Sequence, residues 1–207
     1  MRHLAIIPAC NEGRFIGDTL ASLLGQTEPP DRIVVVDDGS SDDTGAIVEA
    51  VAALHPEVTL LRHQRSPDDV MGPAVVRAFM FAYDQFEPDT YTYVSKLDAD
   101  LVFPPTYCAA LLRHLDDHPE LGVAGGVLLE EARGKPVRLR AAPNHVLGAL
   151  KTFRQVALRA IGGFEAIAGW DIIDQVKLRS HLRPWQRKHF VRTILPSGLI
   201  SGVEPSP

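Results

Sequence analysis

The amino-acid sequence predicts an α/β fold: a central, mostly parallel sheet with helices on both faces. Three observations carry this expectation. Short β-rich runs alternate with longer segments of helical periodicity along the first half of the chain. Those runs are apolar throughout rather than alternating, the pattern of strands buried on both faces. The links between them are short, as in successive βα units of a doubly wound sheet.

Leu4–Ile7 is a compact apolar run that stops at Pro8. Phe15, Ile16, Leu20, Leu23 and Leu24 come next at helical spacing, and Glu28-Pro29-Pro30 ends that helix. Ile33–Val36 is β-branched throughout and meets Asp37-Asp38-Gly39-Ser40. Ser41 or Asp42 can cap the next helix, in which Ile47, Val48, Val51 and Leu54 share a face. Val58–Leu61 predicts a third strand, Gly72–Phe86 a third helix and Thr92–Leu97 a fourth strand. Beyond residue 121 the pattern loosens. Leu121–Leu129 predicts a strand interrupted by glycines, and residues 130–145 a polar stretch. Val156–Ile161 predicts a short helix ended by Gly162-Gly163, and Asp171–Leu182 a last helix. There is no repeat, linker or low-complexity segment, so residues 1–207 are expected to form one domain.

Lys and Arg number 21 against 26 Asp and Glu, a net charge of −5 that conceals a division. Residues 1–131 hold 22 acids and 8 bases, net −14; residues 132–207 hold 4 acids and 13 bases, net +9. An acidic front half argues against a nucleic-acid binder, which presents a basic footprint. The division suggests a divided surface, or a single site that needs both signs. Two cysteines, Cys10 and Cys108, make neither a disulfide framework nor a metal-ligand spacing, so a reducing, cytoplasmic compartment is expected. No run approaches the roughly 18 apolar residues of a membrane span, and Leu4–Ile7 is too short for a signal-peptide core. Membrane contact would be peripheral, at the inner face, through the basic stretch between Lys177 and Arg192.

In open α/β sheets the ligand crevice lies at the carboxyl ends of the strands. Three of the predicted strands run directly into Pro8-Ala9-Cys10-Asn11-Glu12, Asp37-Asp38-Gly39-Ser40 and Asp98-Ala99-Asp100. Two carboxylates one residue apart at a strand end face the same side. Hard divalent cations take carboxylate and diphosphate oxygens together, so the pair Asp98 and Asp100 suits a metal–diphosphate complex. A solvated, helix-capping turn is the other reading of that run, and a turn plus cap the other reading of Asp37 and Asp38. Gly72 opens a helix containing Arg77, and small residues there let a ligand approach backbone amides. Asp171 and Asp174, three apart on one helix face, are candidates for a general base, or two exposed carboxylates beside Lys177 and Arg179.

Taken together these residues resemble a family 2 glycosyltransferase of the GT-A fold. The resemblance rests on Ile6–Glu12, Gln26-Thr27, Val35–Asp42 and Lys96–Asp100 in the first half. In the second it rests on Gly148 with Arg154, Ile161–Phe164 and Gly169–Asp174. It implies inverting transfer of a sugar from a nucleotide-sugar donor, a UDP-sugar foremost, to a carbohydrate or lipid-linked acceptor hydroxyl, with Mn²⁺ or Mg²⁺ as cofactor. Residues 1–131 become a donor half and 132–207 an acceptor half. Pro8, Ala9, Asn11 and Glu12 would line the nucleotide pocket, Asp38 would bind the base with Asp37 beside it, and Gly72 and Arg77 would border the pocket. Asp98 would contact ribose or metal, Asp100 would hold the metal, and Asp174 would be the base with Asp171 nearby. The family often has Glu before that Asp, where Ile173 stands here. A weakly catalytic or truncated nucleotide-sugar-binding relative is the second reading. A phospho-acceptor receiver domain leaves Asp98-Ala99-Asp100 unexplained. A nucleotidyltransferase would want a Gly-rich loop where Pro8-Ala9-Cys10-Asn11 stands.

Overall fold

The computed structural model describes residues 2–65, 71–86, 90–132, 135–139, 142, 145–181 and 191–193. Strands β1 (His3–Ala9), β2 (Arg32–Asp38), β3 (Val58–His63) and β4 (Tyr93–Leu97) lie parallel to their neighbours, joined by α1 (Ile16–Leu24), α2 (Thr44–Ala52) and α3 (Met71–Tyr83). Then come α4 (Tyr107–Asp117), β5 (Val123–Gly125), the hairpin of β6 (Leu129–Ala132) and β7 (Lys135–Arg138), β8 (Leu150–Arg154), α5 (Gln155–Ala160), α6 (Trp170–His181) and β9 (Val191–Thr193). The main sheet has the order β3-β2-β1-β4-β8-β5-β9, with β8 antiparallel to both β4 and β5.

Strand alternation sends the side chains of β1 and β2 into two separate cores. Ala5, Ile7, Ile33 and Val35 pack with Ile16, Leu20, Leu23 and Val48 of α1 and α2, joined by Tyr107, Leu111 and Leu115 of α4. On the other face Leu4, Ile6, Val34 and Val36 pack with Val76, Phe79 and Ala82 of α3, and with Leu158 and Leu178 of α5 and α6. The sheet is therefore the middle of three layers, and its strands are apolar on both sides because both sides are covered. The predicted front half holds, element for element, within a few residues.

Helix α4, strands β8 and β9 and the β6–β7 hairpin carried no recognised sequence signal. Helix α4 repeats Tyr107, Leu111 and Leu115 at a four-residue spacing, but Arg113 and His114 interrupt the run. Strand β8 is Leu-Lys-Thr-Phe-Arg, too polar to read as a buried strand. The stretch expected as one strand from Leu121 to Leu129 is only β5, and the polar stretch after it contains the β6–β7 hairpin. Glycine explains the first difference. A Cβ on Gly125 would lie 2.4 Å from the Leu150 carbonyl oxygen and 2.5 Å from Val146 Cγ1. The strand end is thus pressed against the segment that leads into β8. Gly125→Ala is expected to cost about 1–3 kcal/mol by overpacking, read as a lower urea midpoint at unchanged slope.

Candidate functional site

The parallel strands bring their carboxyl ends to one edge of the sheet, and β8 delivers residues of the second half of the chain to the same edge. The amide of Asp98 donates to the Ala149 carbonyl (2.8 Å), and Lys96 faces Lys151 across the β4–β8 ladder. The pairing of two strands far apart in the chain thus sets Asp98 and Asp100 beside Gly148 and the start of α6.

The loop after β1 is braced by the loop after β2. Asn11 takes the left-handed conformation at φ 58°. Its amide donates to Ser40 Oγ (2.9 Å), and its side-chain oxygen accepts from the Ser41 amide (2.8 Å) and hydroxyl (3.1 Å). The Glu12 amide donates to Thr44 Oγ1 (2.8 Å) and the Gly13 amide to Asp42 Oδ2 (2.9 Å). Pro8 and Ala9 are buried as the last residues of β1, so they shape the floor beneath the loop, while Asn11 is exposed and Glu12 half-buried. Asp37 is buried with both oxygens engaged: Oδ1 accepts the Ser40 amide (2.9 Å) and Oδ2 pairs with Arg62 Nη1 (3.1 Å). Its role here is to hold the turn. Asp38 is buried too, with Oδ1 2.6 Å from His63 Nδ1. Gly72 lies in the first turn of α3, where an added Cβ would touch Trp170 Cδ1 at 3.9 Å, and Arg77 is half-buried in the middle of that helix.

Glu12 and Asp100 are both shifted by burial and by neighbouring carboxylates. Burial foremost, then the charges of Asp100, Asp98 and Asp42, push the Glu12 carboxyl up to about 7. Burial and Asp98 likewise raise Asp100, against the pull of Lys96. Ala99 between the two aspartates is buried, and its carbonyl is fixed by the Thr19 hydroxyl (2.7 Å), which leaves Asp98 and Asp100 on one side, both half-exposed. Carboxylates crowded together in this way favour a cation. Among the described residues no cluster of three or more acid, histidine or cysteine groups closes around a metal by itself. Two carboxylates with phosphate oxygens make a sufficient set for Mg²⁺-like ions, so Asp98 and Asp100 fit a cation that arrives with a diphosphate.

Because Glu12 titrates near 7 in the folded state but at 4.5 ordinarily, its contribution to stability is full below about 4.5 and is lost as pH rises through 7. Glu12→Gln is therefore expected to raise the melting temperature of the metal-free protein more at pH 8 than at pH 5. An equal gain at both pH values would remove Glu12 from the strained set.

Beneath the start of α6 lies a charged layer. Lys151 and Asp174 form an ion pair of 2.7 Å with side chains 0% and 1% exposed. Lys151 Nζ also donates to the Asp171 carbonyl, and Lys96 Nζ pairs with Asp98. The Trp170 ring covers both lysines, its centroid 5.4 Å from Lys96 Nζ and 5.1 Å from Lys151 Nζ. Two ammonium groups facing one another across strands repel. Asp98, Asp174 and the π face of Trp170 offset that repulsion. Burial raises the Asp174 carboxyl and lowers the Lys151 ammonium, each opposed by the other's charge.

Asp174, the sequence-based choice for the base, therefore points into the interior and is reached by no acceptor while that pair is intact. Asp171 is different. It sits in the first turn of α6, its side chain 34% exposed, where the helix dipole favours a carboxylate. Gly148 leaves it room: a Cβ there would come within 3.1 Å of Asp171 Cβ. Lys151 and His145 were missed from sequence, and Lys96 and Trp170 were given no role of their own, although a lysine inside the apolar run of β4 was a visible signal. The basic run 182–190, with Arg187, Lys188 and His189, lies outside the described residues, as do Arg133 and Arg140. A groove of about 670 Å³ between α1 and α2, lined by Ala21, Leu24, Ile47, Val51 and Leu54, is apolar and lies away from the strand ends.

A three-layer α/β/α sandwich with acids gathered at the ends of its parallel strands is the GT-A architecture of nucleotide-sugar transferases. The chain belongs to the glycosyl transferase family 2, whose profile matches residues 4–172. It is 27% identical over 125 residues to poly-β-1,6-N-acetyl-D-glucosamine synthase of Staphylococcus epidermidis, a match covering 59% of this chain and 28% of that protein. The mannosyltransferase PcManGT of Pyrobaculum calidifontis, solved with GDP-Man and Mn²⁺, superposes with a TM-score of 0.69 at 23% identity, covering 97% of this chain and 56% of that one. TarS 1-349 of S. aureus, solved with UDP-GlcNAc, gives a TM-score of 0.69 at 18% identity, covering 99% and 60%. These likenesses establish the fold. The chain spans well under two thirds of the length of each. No helix among the described residues is long and apolar enough to cross a membrane.

Proposed function

We propose that the protein transfers a sugar, with inversion, from a nucleoside-diphosphate donor to an acceptor hydroxyl. The observation that carries this is the joining of two chemistries along one sheet edge: carboxylates crowded at the ends of β1 and β4, and the half-exposed Asp171 presented on the same edge by β8 and α6. Asp38 at the end of β2 hydrogen-bonds the base, and the Asn11–Glu12 loop, on the floor of Pro8 and Ala9, borders the nucleotide. Gly72 at the start of α3 admits the donor close to backbone amides, with Arg77 behind it. Asp98 and Asp100 hold Mn²⁺ or Mg²⁺, which when bound offsets the charge on the departing diphosphate. Asp171 takes the acceptor proton as the hydroxyl attacks the anomeric carbon opposite the diphosphate. Asp174 acts from below, through Lys151. The acceptor is a carbohydrate or lipid-linked sugar, in keeping with a relative named for polysaccharide synthesis. The whole chain works as one cytoplasmic unit, with a donor half and an acceptor half, touching the membrane only peripherally through its basic end.

Calorimetry with UDP and with GDP, each with and without Mn²⁺, tests the donor site. Binding of one of them that requires the cation is expected, as is release of the diphosphate from UDP-GlcNAc or GDP-mannose. If neither nucleotide binds with any divalent cation, the proposal fails.

A further inference from the structure

His145, just before the segment that enters β8, lies against the start of α6. Its Nε2 is 3.8 Å from Asp171 Oδ2, and its Nδ1 is 3.1 Å from Gln175 Nε2. The orientation of the Gln175 amide is set independently. Its oxygen accepts the Val146 amide (2.9 Å), and its nitrogen donates to the carbonyls of Val146 (3.1 Å) and Asp171 (2.5 Å). The atom facing His145 Nδ1 is therefore the amide nitrogen, whose two hydrogens go to those carbonyls and which accepts no hydrogen bond. An Nδ1–H would meet no acceptor there, so the proton is placed on Nε2, the atom turned toward Asp171.

We infer that His145 is a positioning residue for Asp171: its Nε2–H holds one carboxylate oxygen and leaves the other for the acceptor hydroxyl. This rests on the reading of Asp171 as the base. At 3.8 Å the contact is longer than a hydrogen bond, as is common where a site tightens only around its substrate. During transfer the acceptor O–H proton passes to Asp171 while the acceptor oxygen bonds to the anomeric carbon. The carbon–oxygen bond to the diphosphate breaks, and its electron pair leaves with the diphosphate. The His145 proton stays where it is. The charged groups facing this pair are Lys151 from β8 and Asp174 and Arg179 from α6. Burial and Lys151 hold the imidazole below its ordinary pKa against the pull of Asp171, with Arg179 acting in the same sense as Lys151. The ring is thus the neutral Nε2–H form at pH 7.

Two measurements decide the matter. In nitrogen-15 NMR, His145 is expected as the Nε2–H tautomer, and Asp171→Asn is expected to lower its pKa, because a neighbouring anion is lost. An Nδ1–H tautomer, or a pKa indifferent to Asp171→Asn, overturns the inference whatever the enzyme's activity. In kinetics with the nucleotide-sugar that the wild type turns over, His145→Ala is expected to lower kcat by roughly 10–100-fold through misplacement of the base. The donor KM stays unchanged and the acid limb of the pH profile moves to higher pH, because a carboxylate that loses a donor is easier to protonate. His145→Gln, whose amide can donate in place of Nε2–H, recovers part of both effects. An unmoved acid limb, or identical Ala and Gln variants, also overturns it. Failure of the wild type to bind UDP or GDP is a separate result: it removes the functional reading, while the NMR arm still judges the His145–Asp171 contact.

Discussion

Asp171→Asn is expected to leave nucleotide and Mn²⁺ binding within about twofold of wild type while lowering transfer by roughly 10²–10⁴-fold, the usual contribution of a general base. The substitution keeps the size and shape of the side chain, and Asp171's backbone carbonyl, which anchors Lys151 and Gln175, is untouched. The fold should therefore survive, and the loss should appear in kcat. The assay is diphosphate release from UDP-GlcNAc or GDP-mannose, with water or a sugar hydroxyl as acceptor, beside calorimetry of the free nucleotide. Loss of nucleotide binding in parallel would mark Asp171 as structural. Full activity would place the base elsewhere.

The contrast between Asp171 and Asp174 shows what sequence could and could not tell. Their three-residue spacing put both on one side of a helix, and α6 bears that out. Which of them meets solvent depends on Lys151, and Lys151 lies on a strand that polar composition concealed. A buried strand normally reads as a run of Val, Ile and Leu, as β1 and β2 do. In β8, Lys151 and Thr152 are buried because Asp174 and Ser95 are there to receive them. Those partners lie 23 and 57 residues away in the chain. Local pattern carries no such information, so the parallel half was legible and the antiparallel insertion was not. The strand ends themselves were legible for the opposite reason: apolar runs that stop at acids mark where β1, β2 and β4 end. Of those acids Asp37 has a structural use, its carboxylate closing the turn and pairing with Arg62.

The charge division also takes on a physical form. Lys96 from the acidic half and Lys151 from the basic half meet under Trp170, one tied to Asp98 and the other to the helix that carries Asp171. The two halves are thus joined through side chains as well as through the sheet.

Lys151→Met is expected to destabilise the protein by about 3–5 kcal/mol, the cost of leaving one member of a buried ion pair without its partner. Methionine fills the volume of the lysine stem, so the loss reports on Asp174 left as an uncompensated buried charge rather than on a cavity. Two further measurements separate this from simple damage to packing. The deficit should shrink as pH falls, because Asp174 already has a raised carboxyl and escapes its isolation by taking up a proton. Lys151→Met combined with Asp174→Leu should recover most of the loss, since a well-packed apolar pair replaces a buried ion pair at little or no cost. Guanidinium melts of the three variants at pH 5 and pH 8 give all of these numbers. A single-variant loss below about 1 kcal/mol, or a double variant no better than the single, would falsify the ion pair as the anchor of α6. Should the double variant fold well yet turn over donor slowly, with nucleotide binding intact, the pair's function would be separated from its stability: Lys151 would be needed to hold the first turn of α6, and with it Asp171, in register with the donor.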